Sequence, residues 1–196
     1  MTNYSQYDEQ EHILKAFPDK KDGRFLEIGS WHPTDKSNVR ALFELGWSGV
    51  CIEPSPGPLL NLLNEYGDEP RIALVAAAVG VEPGMVHMHV TDDAVSSSDR
   101  QQYDTWKEIT KFRGMLHVPV ITWHDITNRW GGFNFVSLDA EGTSAELFLA
   151  LLAAGLQPDC ICVEHDNRLE ELCSAATPLH YNLTYANGTN AIFVRK

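Results

Sequence analysis

Four short apolar runs in this chain each end in an acidic residue, and helical patterns stand between them. The runs are RFLEIGS (Arg24 to Ser30), GVCIEP (Gly49 to Pro54), FNFVSL (Phe133 to Leu138) before Asp139, and CICV (Cys160 to Val163) before Glu164. Strands that are apolar on both faces must be covered on both faces, which a parallel sheet with crossover helices achieves. Alternating strands and helices with right-handed connections predict a doubly wound, Rossmann-like α/β fold: a mostly parallel sheet with helices on both faces. Ligands of such sheets bind beyond the carboxyl ends of the strands, where the strand order reverses. Glu27, Glu53, Asp139, Glu141 and Glu164 all fall at those ends.

The intervening segments carry ordinary start and stop signals. Ser37 is a candidate N-cap for a helix with Val39, Leu42 and Phe43 inward, stopped at Gly46. Ser55-Pro56 opens a second helix with Leu59, Leu60, Leu62, Leu63 and Tyr66, ending at Gly67. Arg71–Gly80 reads as a third strand. Gly84–Val90 alternates with period two and can pair with Val118–Thr122; the polar stretch between them carries a short helix around Tyr103–Phe112. A helix from Ser144 turns Leu147, Phe148, Leu151 and Leu152 inward and stops at Gly155. The tail HYNLTYANGTNAIFVRK alternates on both sides of an Asn-Gly turn, which predicts a C-terminal hairpin with an antiparallel strand at one edge of the sheet. With 196 residues, one domain over 1–196 is expected, with a helical extension over 1–22 and a substrate-side insertion over 81–122.

Charge narrows the partners. The net charge is −12, and no basic run exceeds the pair Lys20-Lys21. Nucleic acid and anionic membrane surfaces both call for a basic face, so neither is an expected partner. The N-terminal segment lacks the basic-then-apolar order of a secretory signal, and no apolar run reaches the roughly 18 residues of a membrane span. Cys51, Cys160, Cys162 and Cys173 lack CxxC spacing and sit mostly in apolar runs, as reduced cysteines of a cytoplasmic protein do. His87 and His89 share a strand face, but an H-x-H pair with no third ligand predicts a solvated face and no metal.

The first loop, Glu27-Ile28-Gly29-Ser30-Trp31-His32-Pro33-Thr34, begins as nucleotide-binding loops do. A dinucleotide fingerprint would place glycines at 31 and 34, where this chain has Trp31 and Thr34. Gly29 would let the backbone pass close to a ligand. Glu53, at the end of the second strand, can accept hydrogen bonds from ribose hydroxyls. Trp31-His32-Pro33 fills the place of a pyrophosphate, and Glu27 would oppose a dianion. A ligand carrying adenosine, no phosphate and a positive charge fits better, and S-adenosylmethionine has these properties.

The ordered segments LEIGSWHP…SNV, GVCIEPSP, AAAVG, FVSLDAEGTSAELF and CVEHD resemble the FkbM-type methyltransferases of the class I, S-adenosylmethionine-dependent superfamily, from about Arg24 to the C-terminus. The resemblance implies a seven-stranded sheet with its last strand antiparallel. It implies S-adenosylmethionine as methyl donor and a hydroxyl acceptor on a small molecule or glycan. Carried over residue by residue, the cofactor side comprises Glu27, Gly29, Ser30, Asn38, Glu53, Pro54, Ala78 and Asp139. Asp139 then lies beside the sulfonium, Glu141 orients the loop and Ala78 lies close to the adenine. Where the family often has a second glycine, this chain has Trp31-His32-Pro33. A general base assists an alcohol nucleophile. His165 is the first candidate, because it follows a strand end and titrates near neutrality; Asp139, Glu141 and His32 are alternates. Ser96-Ser97-Ser98, with Asp92 and Asp93 upstream, would border the acceptor pocket. The competing readings are a non-catalytic or regulatory nucleotide-binding module, an NAD-dependent oxidoreductase and, more distantly, a metal-dependent hydrolase.

Overall fold

The computed structural model of the chain describes residues 2–91, 96 and 100–196, and the side chains of all of these but 100–102. The expectation for Asp92, Asp93, Ser97 and Ser98 lies outside the described residues. The chain runs through α1 (Glu9–Ala16), β1 (Arg24–Ile28), α2 (Arg40–Glu44), β2 (Ser48–Ile52), α3 (Pro56–Tyr66), β3 (Ile72–Val75), β4 (Ala78–Val79) and β5 (Gly84–Thr91). It continues through α4 (Arg100–Trp106), β6 (Phe112–Ile121), α5 (Trp123–Trp130), β7 (Phe135–Leu138), α6 (Ser144–Ala153), β8 (Cys160–Glu164), α7 (Leu169–Ala176), β9 (Tyr181–Ala186) and β10 (Asn190–Arg195). No described helix is long and apolar enough to cross a membrane.

The main sheet has seven strands in the order β3-β2-β1-β7-β8-β10-β9. All neighbours are parallel except β10, which is antiparallel to both β8 and β9. The predicted hairpin does form the sheet edge, but its last strand inserts between β8 and β9, leaving β9 outermost. The strand order reverses between β1 and β7, so the crevice for a ligand opens at their carboxyl ends.

Successive residues of each central strand point to opposite faces, and each face has its own helices. Leu26, Ile28, Val136, Leu138, Ile161 and Val163 pack with Leu147, Phe148 and Leu151 of α6 and Leu172 of α7. Phe25, Cys51, Phe135, Cys160 and Cys162 pack with Ile13 of α1, Leu42 of α2, Leu62 and Tyr66 of α3, and Trp47. Helix α1 is also locked to the hairpin. The carboxylate of the buried Glu9 accepts from Asn187 Nδ2 and Asn190 Nδ2 (both 2.9 Å) and from the Tyr7 N–H (2.8 Å). Removing this acceptor strands the Asn190 amide and leaves Asn187 Nδ2 only the Tyr185 hydroxyl (3.1 Å). Glu9→Ala should therefore cost about 3 kcal/mol, read as a lower urea midpoint with an unchanged slope; an unaltered midpoint would mean the α1 clasp adds nothing.

Two expected elements differ. The run Arg71–Gly80 is not one strand: the Ala77 N–H bonds the Val75 carbonyl (3.1 Å), and this tight turn carries the chain out of the main sheet. The small residues that follow form β4, which pairs with β6 in a second sheet ordered β4-β6-β5. Helix α4 begins earlier than Tyr103, and Phe112 instead opens β6, where its ring meets those of Tyr103 and His89 edge-on. The expected pairing of Gly84–Val90 with Val118–Thr122 is found in part: Gly84 lies opposite Val120 and Val86 opposite Val118, but the partner strand begins earlier, at Phe112.

Candidate functional site

The carboxyl ends of β1, β2, β7 and β8 border a cavity of about 480 Å³. That volume lies within the ~300–1,000 Å³ of small-molecule sites. Six carboxylates line it (Glu27, Asp35, Glu53, Asp139, Glu141, Glu164), against Lys36 as the single lysine or arginine among the described residues. Ile52, Pro54, Pro58, Ala77, Ala78 and Val79 supply an apolar side.

Each acid is placed by its strand. Glu27 shares the face of Phe25 and Cys51, so its carboxylate lies under the start of α2, where Ser37 Oγ donates at 3.5 Å. Burial pushes it up to about 7, opposed by hydrogen bonds from Ser30, the Asn38 N–H and Ser37. Glu53 closes β2 and accepts the Ser55 N–H at 2.6 Å. It too is raised to about 7, by burial, against its bonds to Ser55. Asp139 and Glu164 follow the paired residues Leu138 and Val163 on adjacent strands. Burial raises Glu164, and the negative charge of Asp139 adds to this. Glu164 Oε2 is buried with no donor in reach, which a proton shared with Asp139 would satisfy. Burial likewise raises Asp139, but this residue is exposed, so water tempers the effect on it more than on the buried Glu27. Glu141 lines the same wall with a positive φ of 29°.

Gly29 has a structural role beside the expected one. Its φ is +81°, and a Cβ there would sit 1.7 Å from the Asp139 carbonyl oxygen. The glycine is required where β1 and β7 come together, whatever approaches it from the cavity. The rest of the loop also explains the two missing glycines. His32 Nδ1 accepts the N–H groups of Asp35 (2.9 Å) and Thr34 (3.3 Å). Backbone amides that would cradle a phosphate are thus occupied by an imidazole.

Of the residues singled out from the sequence, Glu27, Gly29, Glu53, Pro54, Ala78, Asp139 and Glu141 come together around the cavity, as does His32. Three do not line it. Ser30 is buried and donates to the Glu27 carbonyl (3.1 Å). Asn38 points into the sheet, donating to Ser137 Oγ (3.2 Å) and accepting from Ser5 Oγ (2.8 Å); only its backbone N–H serves Glu27. His165 is buried, with Nε2 bonded to the Asn187 carbonyl (3.2 Å), so its ring faces the hairpin and not the cavity. The alternation of side chains explains this: Glu164 and His165 are consecutive, and only one of them can face the crevice. Lys36 and the Ser55 clasp on Glu53 were not anticipated. The clasp had a signal in Ser55-Pro56, whereas Lys36 had none, since nothing local predicts its φ of 56°. Among the described residues no group of three or more His, Cys, Asp or Glu is arranged to hold a metal ion.

No family model matches the chain, and no curated protein matches it. Solved structures do. A methyltransferase FkbM from Methylobacillus flagellatus KT matches with a TM-score of 0.55 at 14% identity, over 88% of this chain and 44% of its own. The putative methyltransferase yhhF from Escherichia coli matches at 0.55 and 12% identity, over 100% and 89%. The precorrin-6y C5,15-methyltransferase from Geobacter metallireducens GS-15 matches at 0.52 and 11% identity, over 100% and 92%. The chain thus spans less than half the length of the FkbM protein. At these identities the likeness is one of fold, a fold shared with structures named as methyltransferases.

Proposed function

We propose that this chain is an S-adenosylmethionine-dependent methyltransferase of the FkbM type, acting on a hydroxyl oxygen of a small molecule or sugar. The observation that carries this reading is Glu53, fixed by the Ser55 N–H at the end of β2 on the rim of a cavity rich in carboxylates. One of its oxygens is bonded; the other has no bond among the described residues and suits a ribose hydroxyl. Six carboxylates against one lysine favour a cationic ligand over a diphosphate. The donor set therefore fits S-adenosylmethionine and argues against NAD. The apolar side at Pro54, Pro58, Ala77 and Ala78 would take the adenine.

When bound, S-adenosylmethionine supplies an electrophilic methyl group on a positively charged sulfur. The chain's own part is positioning and proton transfer. Asp139, open to the cavity, is the acceptor for the proton of the attacking hydroxyl. Glu164 beside it holds it by a shared proton, a bond that favours the ionised form of Asp139. Glu141 extends the same wall. His165, bonded to the hairpin, takes no part in the chemistry. The four cysteines are unpaired, which suits the reducing cytoplasm.

Calorimetric titration with S-adenosylmethionine, S-adenosylhomocysteine and NAD tests the reading. Saturable binding of the first two and none of NAD is expected; binding of NAD alone would replace the proposal with an oxidoreductase, and cofactor binding without turnover on any acceptor would leave a binding module. Glu53→Ala should weaken cofactor binding by about 1–3 kcal/mol, the loss of charge-assisted hydrogen bonds. Wild-type affinity in that variant would remove Glu53 from the ribose site.

A further inference from the structure

The ligand proposed above is a zwitterion at its amino-acid end, and its carboxylate must be housed in a cavity lined by six carboxylates. Two neighbouring groups answer that need. The Trp31 indole lines the cavity, and its Nε1–H is buried with no hydrogen-bond acceptor. An orphaned buried donor of this kind costs free energy unless a partner arrives. Lys36 lines the same cavity, and its Nζ stands 5.3 Å from the centre of the Trp31 ring, within cation–π reach.

The loop holds this pair deliberately. Lys36 has a φ of 56°, a left-handed conformation that a lysine rarely adopts and that persists only when its surroundings impose it. They do so on both sides. His32 Nδ1 takes the N–H groups of Thr34 and Asp35 just before Lys36. Ser37 Oγ takes the Arg40 N–H (3.2 Å) just after it. The segment that replaces the missing glycines is therefore a turn that presents a cation against an indole.

We infer that Trp31 and Lys36 form the subsite for the carboxylate of the ligand's amino-acid end, in place of the backbone amides that a glycine-rich loop would offer. This rests on the cofactor reading above. A carboxylate seated there would accept from the indole N–H and pair with the ammonium, leaving the cationic sulfur towards Asp139 and Glu164, which line the same cavity. The cavity's charge distribution thus fixes which way round the ligand lies.

The test compares S-adenosylmethionine with its decarboxylated analogue, which keeps adenosine, sulfonium and amine. Both are titrated calorimetrically into the wild type, Trp31→Phe, Lys36→Asn and Lys36→Arg; asparagine tolerates the left-handed backbone. The wild type is expected to prefer S-adenosylmethionine by about tenfold or more, as charge-assisted bonds to a carboxylate would give. Trp31→Phe and Lys36→Asn should each lose most of that preference while binding the decarboxylated analogue as the wild type does, and Lys36→Arg should restore part of it. A wild type that binds both ligands equally overturns the subsite and leaves the cofactor reading standing. So do variants that weaken both ligands alike. A wild type that binds neither overturns both readings.

Discussion

Alanine at Gly29 will cost more stability than any other single change at the site. The new Cβ would lie 1.7 Å from the Asp139 carbonyl oxygen and 2.8 Å from its carbonyl carbon, and both are backbone atoms that no rotamer change can move. The Asp139 N–H bonds the Ile28 carbonyl (3.0 Å), and the Gly29 N–H bonds the Ile52 carbonyl (3.0 Å), so the atoms in the way belong to the sheet's own ladder. Relieving the contact means prising apart β1 and β7 where the strand order reverses. The φ of +81° adds strain of its own. A loss of about 4 kcal/mol or more is expected, the range reserved for severe overpacking and backbone strain. Urea unfolding measures it, and Gly155→Ala is the control. Gly155 also has a positive φ, of +72°, but nothing lies within 4 Å of its would-be Cβ, so that substitution should cost only about 1 kcal/mol. Equal losses in the two variants would mean that β1 and β7 do not approach as described.

Gly29 also shows how a residue can carry a structural reason that its local sequence does not reveal. A glycine after a strand at the head of a loop suggests close approach to a ligand, because sequence carries no record of which neighbour crowds it. The crowding neighbour is more than a hundred positions away in the chain. Partners beyond local reach, 99 and 22 positions away, likewise hid the roles of Asn38 and His165. Each stands at a position that the motif order marks as functional, yet each is taken up by a partner from another element: Ser137 for Asn38, the Asn187 carbonyl for His165. The legible part was periodic. Apolar runs of strand length named β1, β2, β7 and β8, and their terminal acids named the rim of the cavity. Helix α5 was legible in principle through the Thr122–Asp125 capping box. The separation of β3 from β4 was not, because the run from Ile72 to Gly80 is apolar throughout while the turn at Ala77 depends on which sheet claims the following residues.

The ligand-free protein should lose stability as pH rises from about 5 to 8. Glu27 and Glu53 are both raised to about 7 from an ordinary 4.5, chiefly by burial. Between these two values the native state holds protons that the unfolded chain has released. Stability then falls with rising pH, the reverse of the usual behaviour of paired carboxylates. The contribution is fully present below pH 4.5 and is lost as pH passes through 7. At 1.36 kcal/mol per pKa unit, each group accounts for on the order of 3 kcal/mol at most. For a domain of this size the Tm should drop by roughly 5–10 °C across that interval. The net charge of −12 pushes in the same direction, so the variants decide the cause. Glu27→Gln and Glu53→Gln should each flatten the profile, because an amide has no proton to lose, whereas a surface Glu65→Gln should not. A Tm that is level or rises between pH 5 and 8, or a slope that survives in both cavity variants, would show that these carboxyls are not held protonated. A bound cation works against the trend, since it favours the ionised carboxylates and releases their protons. S-adenosylmethionine should therefore raise the Tm more at pH 8 than at pH 6, and its binding enthalpy should vary with the ionisation enthalpy of the buffer. An acidic cavity that destabilises the empty protein at neutral pH is, on this account, the same feature that selects a positively charged ligand.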